Sequence, residues 1–200
     1  MNKPLALNLF LTVNSEGLPF FFPLIRKGFM LETEVGTSIK EFLLTLPGID
    51  SVYMTERIKT VFLNGWVVDD IKTAFLEAGS NLALSAAMPG LVGATMRRES
   101  GLISFRSQIT YVPHKKQGAR QKGIISIRLF NLILKDLGVI FLKKGILLKP
   151  DDLEKFIKIL PEKFWPEVED ASLNGHHQEI NELLQVNWSE SAELVKLKVC

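Results

Sequence analysis

The sequence predicts an α+β fold, with a strand-rich first half holding one capped helix and a mainly helical C-terminal region. Three observations carry this. Ser38 and Glu41 stand at capping-box spacing before an apolar stripe. Asn64-Gly65 separates two β-rich runs, the strongest short hairpin signal. From Phe130 onward, apolar residues recur at helical rather than strand period.

Taken in order, Leu5 to Val13 is apolar and β-compatible and ends at the turn signal Asn14-Ser-Glu-Gly17. Phe29 to Val35 reads as a second strand, with Leu31, Thr33 and Val35 on one face. Ile39, Phe42, Leu43 and Leu46 give the helix its stripe, and Pro47-Gly48 stops it. Ile58 to Leu63 and Trp66 to Val68 are the arms of the hairpin, and Asn81 to Ala86 is a further short strand. Met88 to Ala94 reads as a small-residue loop. Residues 95–122 are poor in pattern and predict a linker or mobile basic loop, with the subdomain boundary there. In residues 123–200, Phe130, Ile133, Leu134, Leu137 and Phe141 form a helical stripe. Pro150-Asp-Asp152 opens another helix, because proline suits the first turn and the acids complement the dipole. Ile180, Leu183 and Leu184 suggest a third helix, and the alternation from Leu194 to Val199 a terminal strand. The expected organisation is thus 1–94, 95–122 and 123–200.

Composition is that of an ordinary folded chain: 200 residues, 46% hydrophobic and 23% charged, with a formal net charge of +2. Charged residues interrupt each apolar run before it reaches the length of a membrane span. The one cysteine, Cys200, forms no internal disulfide, and a cytoplasmic location is expected. Charge is uneven. Residues 97–149 carry 12 basic and 2 acidic side chains, whereas residues 150–200 carry 5 basic and 11 acidic. The simplest reading sets the basic block against the acidic one within the fold. The alternative is an anionic partner.

The order strand, strand, capped helix, Asn-Gly hairpin, Gly turn, strand, small-residue loop resembles a ubiquitin-like β-grasp domain over residues 1–94. Two segments, Val61-Phe-Leu-Asn-Gly-Trp-Val-Val-Asp-Asp70 and Glu77-Ala-Gly-Ser-Asn-Leu-Ala-Leu-Ser85, make residues 5–94 similar to the MoaD/ThiS sulfur-carrier family. The resemblance implies a protein partner, an adenylating enzyme or a synthase, and a carrier tail ending in Gly-Gly. Here Gly90-Leu-Val-Gly93-Ala94 stands at the tail position and the chain continues to Cys200. An internal peptide carbonyl cannot be adenylated as a carboxylate. Carrier chemistry therefore requires proteolysis after Gly93. A β-grasp reused as a non-catalytic protein-interaction module is the preferred expectation.

The remaining candidates are sparse. Arg97 and Arg98 follow the glycines and are placed to contact an anion. Lys115, Lys116, Arg120 and Lys122 form a basic segment that lacks interleaved aromatic residues, so a nucleic-acid partner is not expected, and nucleic-acid or anion binding through residues 97–149 stands only as the second alternative, behind a processed carrier. His176-His177 lack metal-ligand spacing, and Cys200 has no base placed by its spacing. No catalytic residue, metal or cofactor is expected. The aromatic groups Phe20-Phe-Phe22 and Phe164-Trp165 read as core.

Overall fold

Strands that lie far apart in the sequence lie side by side in the structure. The computed structural model describes residues 5–98, 100–113 and 118–200. The fold mixes helices and strands along its whole length. In chain order the strands are β1 (Ala6–Val13), β2 (Phe29–Val35), β3 (Thr60–Leu63), β4 (Trp66–Val67), β5 (Asn81–Ser85), β6 (Gln121–Phe130), β7 (Ile146–Leu148), β8 (Val168–Leu173), β9 (His176–His177) and β10 (Leu194–Val199). The α-helices are α1 (Phe22–Lys27), α2 (Ile39–Leu44), α3 (Ser51–Glu56), α4 (Gly90–Thr95), α5 (Asn131–Lys144), α6 (Pro150–Ile159), α7 (Ile180–Gln185) and α8 (Trp188–Ser191). The chain divides into a middle unit, Met30–Leu137, and a split unit, Met1–Phe29 with Gly138–Cys200. This division differs from the expected 1–94, 95–122 and 123–200.

In the middle unit the strands run in the order β4-β3-β5-β6-β2. The turn between β3 and β4 has Asn64 at φ 52° and Gly65 at φ 86°, the two positive dihedrals that the dipeptide predicts. Strand β5 runs antiparallel to β3 and parallel to β6, with Asn81 opposite Ser126 and Ser85 opposite Phe130. Strand β6 buries Ile125, Ile127 and Leu129 and exposes Ile124, Arg128 and Phe130. That period-two alternation is a strand signature. The expected mainly helical region from residue 123 is corrected here: 123–130 is strand, and helix begins only at Asn131. The mostly apolar stretch beyond Phe130 masked the change of period.

Helix α2 forms as its cap predicts. The Ser38 hydroxyl accepts from the Glu41 amide, and the Glu41 carboxylate accepts from the Ser38 amide at 2.8 Å. Amides of its first turn are also satisfied from outside: Ile39 donates to Ala74 O at 2.9 Å and Lys40 to Ile71 O at 3.0 Å. The loop after β4 is thereby fixed against the start of α2. Helix α3, which periodicity alone did not show, starts at Asp50, whose carboxylate caps the Tyr53 amide at 2.7 Å.

In the split unit the strand order is β7-β10-β1-β8-β9. Strand β1 is parallel to β10, with Ala6 opposite Leu194, and antiparallel to β8. The expected place of Leu5 to Val13 as the first strand of an N-terminal sheet is therefore corrected. Its partners come from the C-terminal fifth of the chain. The terminal strand expected at Leu194 to Val199 is β10. A second Asn-Gly turn, Asn174 at φ 53° and Gly175 at φ 83°, joins β8 to β9. Phe21 packs on Phe156 and Phe164 with ring centroids 5.5 and 5.6 Å apart. The apolar gap beside them measures about 20 Å³, too small for a ligand, so these aromatics are core.

Two stability measurements check this account. Ile127→Ala removes a fully buried side chain from a strand flanked on both sides and should cost about 2–5 kcal/mol in urea unfolding. Ser38→Ala should cost about 1 kcal/mol by loss of the cap. A near-neutral Ile127→Ala would contradict the placement of β6.

Candidate functional site

Residues 86–120 connect two parallel strands, β5 and β6. Such a crossover needs a dozen or more residues, and here it carries most of the candidate residues. The predicted small-residue loop is corrected to a helix, α4, which holds Gly90 and Gly93. Gly93 is buried, and a Cβ there would lie 2.4 Å from the Met88 carbonyl oxygen. Only glycine allows the chain to fold back so closely on itself. The two glycines of the tail position thus lie on a helix, Gly93 buried and Gly90 exposed, and not on an extended tail.

Arg106 holds the crossover down. It is 3% exposed, and its guanidinium is the hub of the segment. One arm donates to the Asp69 carboxylate, and others to Thr110 Oγ1 at 2.9 Å, Thr95 O and Arg97 O. The fork geometry of arginine lets a single side chain satisfy two side-chain and two backbone acceptors on three stretches of the chain. Thr110 lies in a parallel bridge with Val67, and the Tyr111 amide donates to Val67 O at 2.7 Å, so the crossover also runs along β4. Sequence reading missed Arg106. Its only signal was a lone arginine in a segment of apolar and small residues, which burial explains only after folding.

Among the expected anion-contact residues, Arg97 is exposed and gives its backbone carbonyl to Arg106. Arg98 turns inward, donating its guanidinium to Met54 O at 2.9 Å and its amide to Lys59 O at 2.8 Å. Of the expected basic interface, Lys115 and Lys116 lie outside the described residues. Arg120 pairs with Glu41 at 2.7 Å and Glu34 at 3.5 Å, and Lys122 is exposed. The ion pairs of Arg106 and Arg120 in the basic block therefore reach acids of the first 70 residues, Asp69, Glu34 and Glu41. The sequence had pointed instead to the C-terminal acidic block.

Exposed apolar side chains gather on the crossover. Leu91 and Val92 on α4 are 76% and 70% exposed, and Phe105, in the 3-10 segment Ile103–Ile109 that packs on α4, is 79% exposed. Ile109 and Val112 are also exposed. Exposed apolar residues are ordinary when scattered singly, but these five lie on one connecting stretch of the described chain.

Elsewhere, Tyr53 donates to Asp136 at 3.0 Å, and Arg57 holds the same carboxylate at 2.7 Å. Burial and the Asp136 contact push the Tyr53 phenol well above its usual range, so it remains a protonated donor. His176 and His177 sit on β9. His177 Nδ1 is 2.9 Å from Asp170, a contact that raises its pKa. Among the described residues no group of three or more His, Cys, Asp or Glu could hold a metal ion. Cys200 is exposed, and its backbone is bonded to β1 through Leu11 O and Val13 N. No helix among the described residues is long and apolar enough to cross a membrane.

Replacing Arg106 by Met should destabilise the protein by roughly 3 kcal/mol and raise amide exchange across 95–110, since Asp69 and two carbonyls lose their donor. Arg106→Lys should not restore protection, because one ammonium cannot span four acceptors. Glu41 supplies a pH test. The Ser38 amide, the Ser38 hydroxyl and Arg120 together hold its carboxyl below the ordinary value of 4.5. Its contribution is present above that value and is lost as pH falls through the lower, folded-state pKa. Glu41→Gln should therefore shallow the acid limb of the stability profile without moving the alkaline limb.

Compared with known proteins, the chain matches no family model, no curated protein and no solved structure.

Proposed function

We propose that the chain is a non-catalytic protein-interaction module whose middle unit is a β-grasp-like sheet with β6 in the place of the first strand. The elements expected of a β-grasp after its first strand are present in order: β2, the capped α2, the β3-β4 hairpin and β5. The strand beside β5 and β2 is β6, from residues 121–130, while β1 pairs elsewhere. This is the order of a sheet whose first strand has been moved to its end.

The observation that carries the functional reading is what occupies the tail position. A carrier of the MoaD/ThiS kind needs a free, extended C-terminus. Here that position is the helix α4, which bears exposed Leu91 and Val92 and leads on to exposed Phe105. The crossover presents an apolar surface to a protein partner, and an adenylating enzyme or synthase is the partner that the resemblance favours.

Magnitudes argue against a processed carrier. Cleavage after Gly93 would leave β6 on the other fragment. Its Ile125, Ile127 and Leu129 are each fully buried, together worth roughly 5–9 kcal/mol of apolar burial. A whole domain is stable by only about 5–15 kcal/mol. The fragment would also lose β8 and β10 from either side of β1.

Two results test the reading. A recombinant fragment covering 1–93 should be unfolded by circular dichroism, and protein from its native cells should have only the full-length mass. A folded fragment, or a native species ending at Gly93, would favour the carrier. A photo-crosslinker at position 91 should capture one discrete protein in cells, and Phe105→Ser should weaken that adduct at unchanged thermal stability. Absence of an adduct beside full-length mass would remove the interaction reading.

A further inference from the structure

The middle and split units repeat one strand arrangement. In each, a hairpin closed by Leu-Asn-Gly lies antiparallel to a third strand, which runs parallel to a fourth: β4-β3-β5-β6 in one and β9-β8-β1-β10 in the other. The registers coincide. Leu63 stands opposite Leu82, and Leu173 opposite Leu9. Leu82 in turn faces Ile127, and Leu9 faces Leu197. The turn asparagines are bonded alike: Asn64 Oδ1 accepts the Asn81 amide at 2.8 Å, and Asn174 Oδ1 the Asn8 amide at 2.9 Å. Beyond the turns, Val68 N donates to Val61 O at 2.8 Å and Gln178 N to Ala171 O at 2.9 Å. Val67 therefore corresponds to His177, and Asp69 to Glu179.

The units differ at the outer edge of that hairpin. In the middle unit the crossover covers it. Thr110 bridges Val67 in parallel, Tyr111 N donates to Val67 O at 2.7 Å, and Arg106 holds the Asp69 carboxylate. Val67 is fully buried there. In the split unit, among the described residues, no strand or bridge lies beyond β9. His176 and His177 are exposed, and the His177 carbonyl accepts from the side chain of its neighbour, Gln178 Nε2, at 2.9 Å. The Glu179 side chain is 77% exposed, and His177 Nε2 stands 3.5 Å from it, beyond an ordinary hydrogen bond. The surroundings are acidic, since Glu169, Asp170 and Glu182 are exposed as well. An edge strand of this kind offers its outward backbone groups to another extended chain.

We propose that the edge of β9 is a docking site for an extended segment of a partner protein, running parallel to β9 and carrying an arginine a few residues before the residue that bridges His177. A backbone amide of the segment replaces the Gln178 side chain on the His177 carbonyl, as Tyr111 N meets Val67 O in the other unit. Its arginine takes Glu179 as Arg106 takes Asp69. Backbone bonds supply affinity, and the arginine fixes the register. The carboxylates around β9 favour a basic segment. They disfavour a second copy of this chain, because two β9 edges brought together would set Glu169, Asp170 and Glu179 against their own like charges. The site belongs to the split unit and does not draw on the exposed apolar residues of the crossover.

The probe is a synthetic peptide with the sequence of residues 103–113, blocked at both ends, titrated into isotope-labelled full-length protein and followed by NMR. Submillimolar binding should move the amides of 170–179 and leave those of 64–69 in place. Changing the arginine of the peptide to glutamine should weaken binding about tenfold, the scale of one charge-assisted hydrogen bond. Glu179→Gln in the protein should weaken the parent peptide by the same factor and abolish the difference between the two peptides. Glu179 also caps α7, so a thermal melt establishes that this variant is folded. Should it not fold, the peptide substitution, which leaves the protein untouched, decides. No shift at millimolar peptide, shifts confined to 64–69, equal binding of the arginine and glutamine peptides, or an arginine preference that survives Glu179→Gln would overturn the proposal. A dimer whose β9 amides are protected before peptide is added would overturn it in favour of a second copy.

Discussion

The middle unit depends on one pairing, β5 with β6. Because the two strands are parallel, no tight turn can join them, and the chain must leave the sheet and return. Everything between Ala86 and Arg120 follows from that requirement. It is long because it crosses over, and its described residues are fixed in place because Arg106, the Val67 bridge and the fold of α4 hold them. A segment that reads as a linker is the connection that makes the sheet possible.

The same constraint shapes the chemistry. The crossover carries exposed apolar side chains on α4 and the 3-10 segment, and turns Arg98 inward onto Met54 O. Both features lie on chain whose position is set by backbone bonds and a buried guanidinium, not by a large core. Such a segment opens at lower free energy than the strands beneath it. The basic residues that dominate its charge are partly spent inside the unit. Arg106 and Arg120 answer Asp69, Glu34 and Glu41, which lowers the field available to a polyanion such as nucleic acid.

The split unit works by a similar rule. Strand β1 is the first described strand and β10 the last, and they run parallel, so their pairing requires the chain between them to return to the same end. The backbone of Cys200 completes that pairing with Val13 and Leu11. Contacts of such high sequence separation slow folding, because loop-closure entropy is lost before any pairing energy is gained.

Local features were legible in the sequence because local geometry decides them. The Ser38–Glu41 cap, the Asn64-Gly65 turn, the Pro150 helix start and the alternating β10 need only neighbouring residues to form. The Asn174-Gly175 turn carried the same signal, and only its flanking strands, short and mixed in polarity, hid it. Strand partners were not legible, since pairing is chosen by whole faces burying one another. Nothing within Leu5 to Val13 says that its neighbours lie at 168–173 and 194–199. Nor does Gly123 to Phe130 say that its alternating isoleucines complete a sheet begun some ninety residues earlier. The fate of Arg106 belongs to the same class. An arginine becomes a buried hub only through the acceptors that tertiary folding brings within ~3 Å of it.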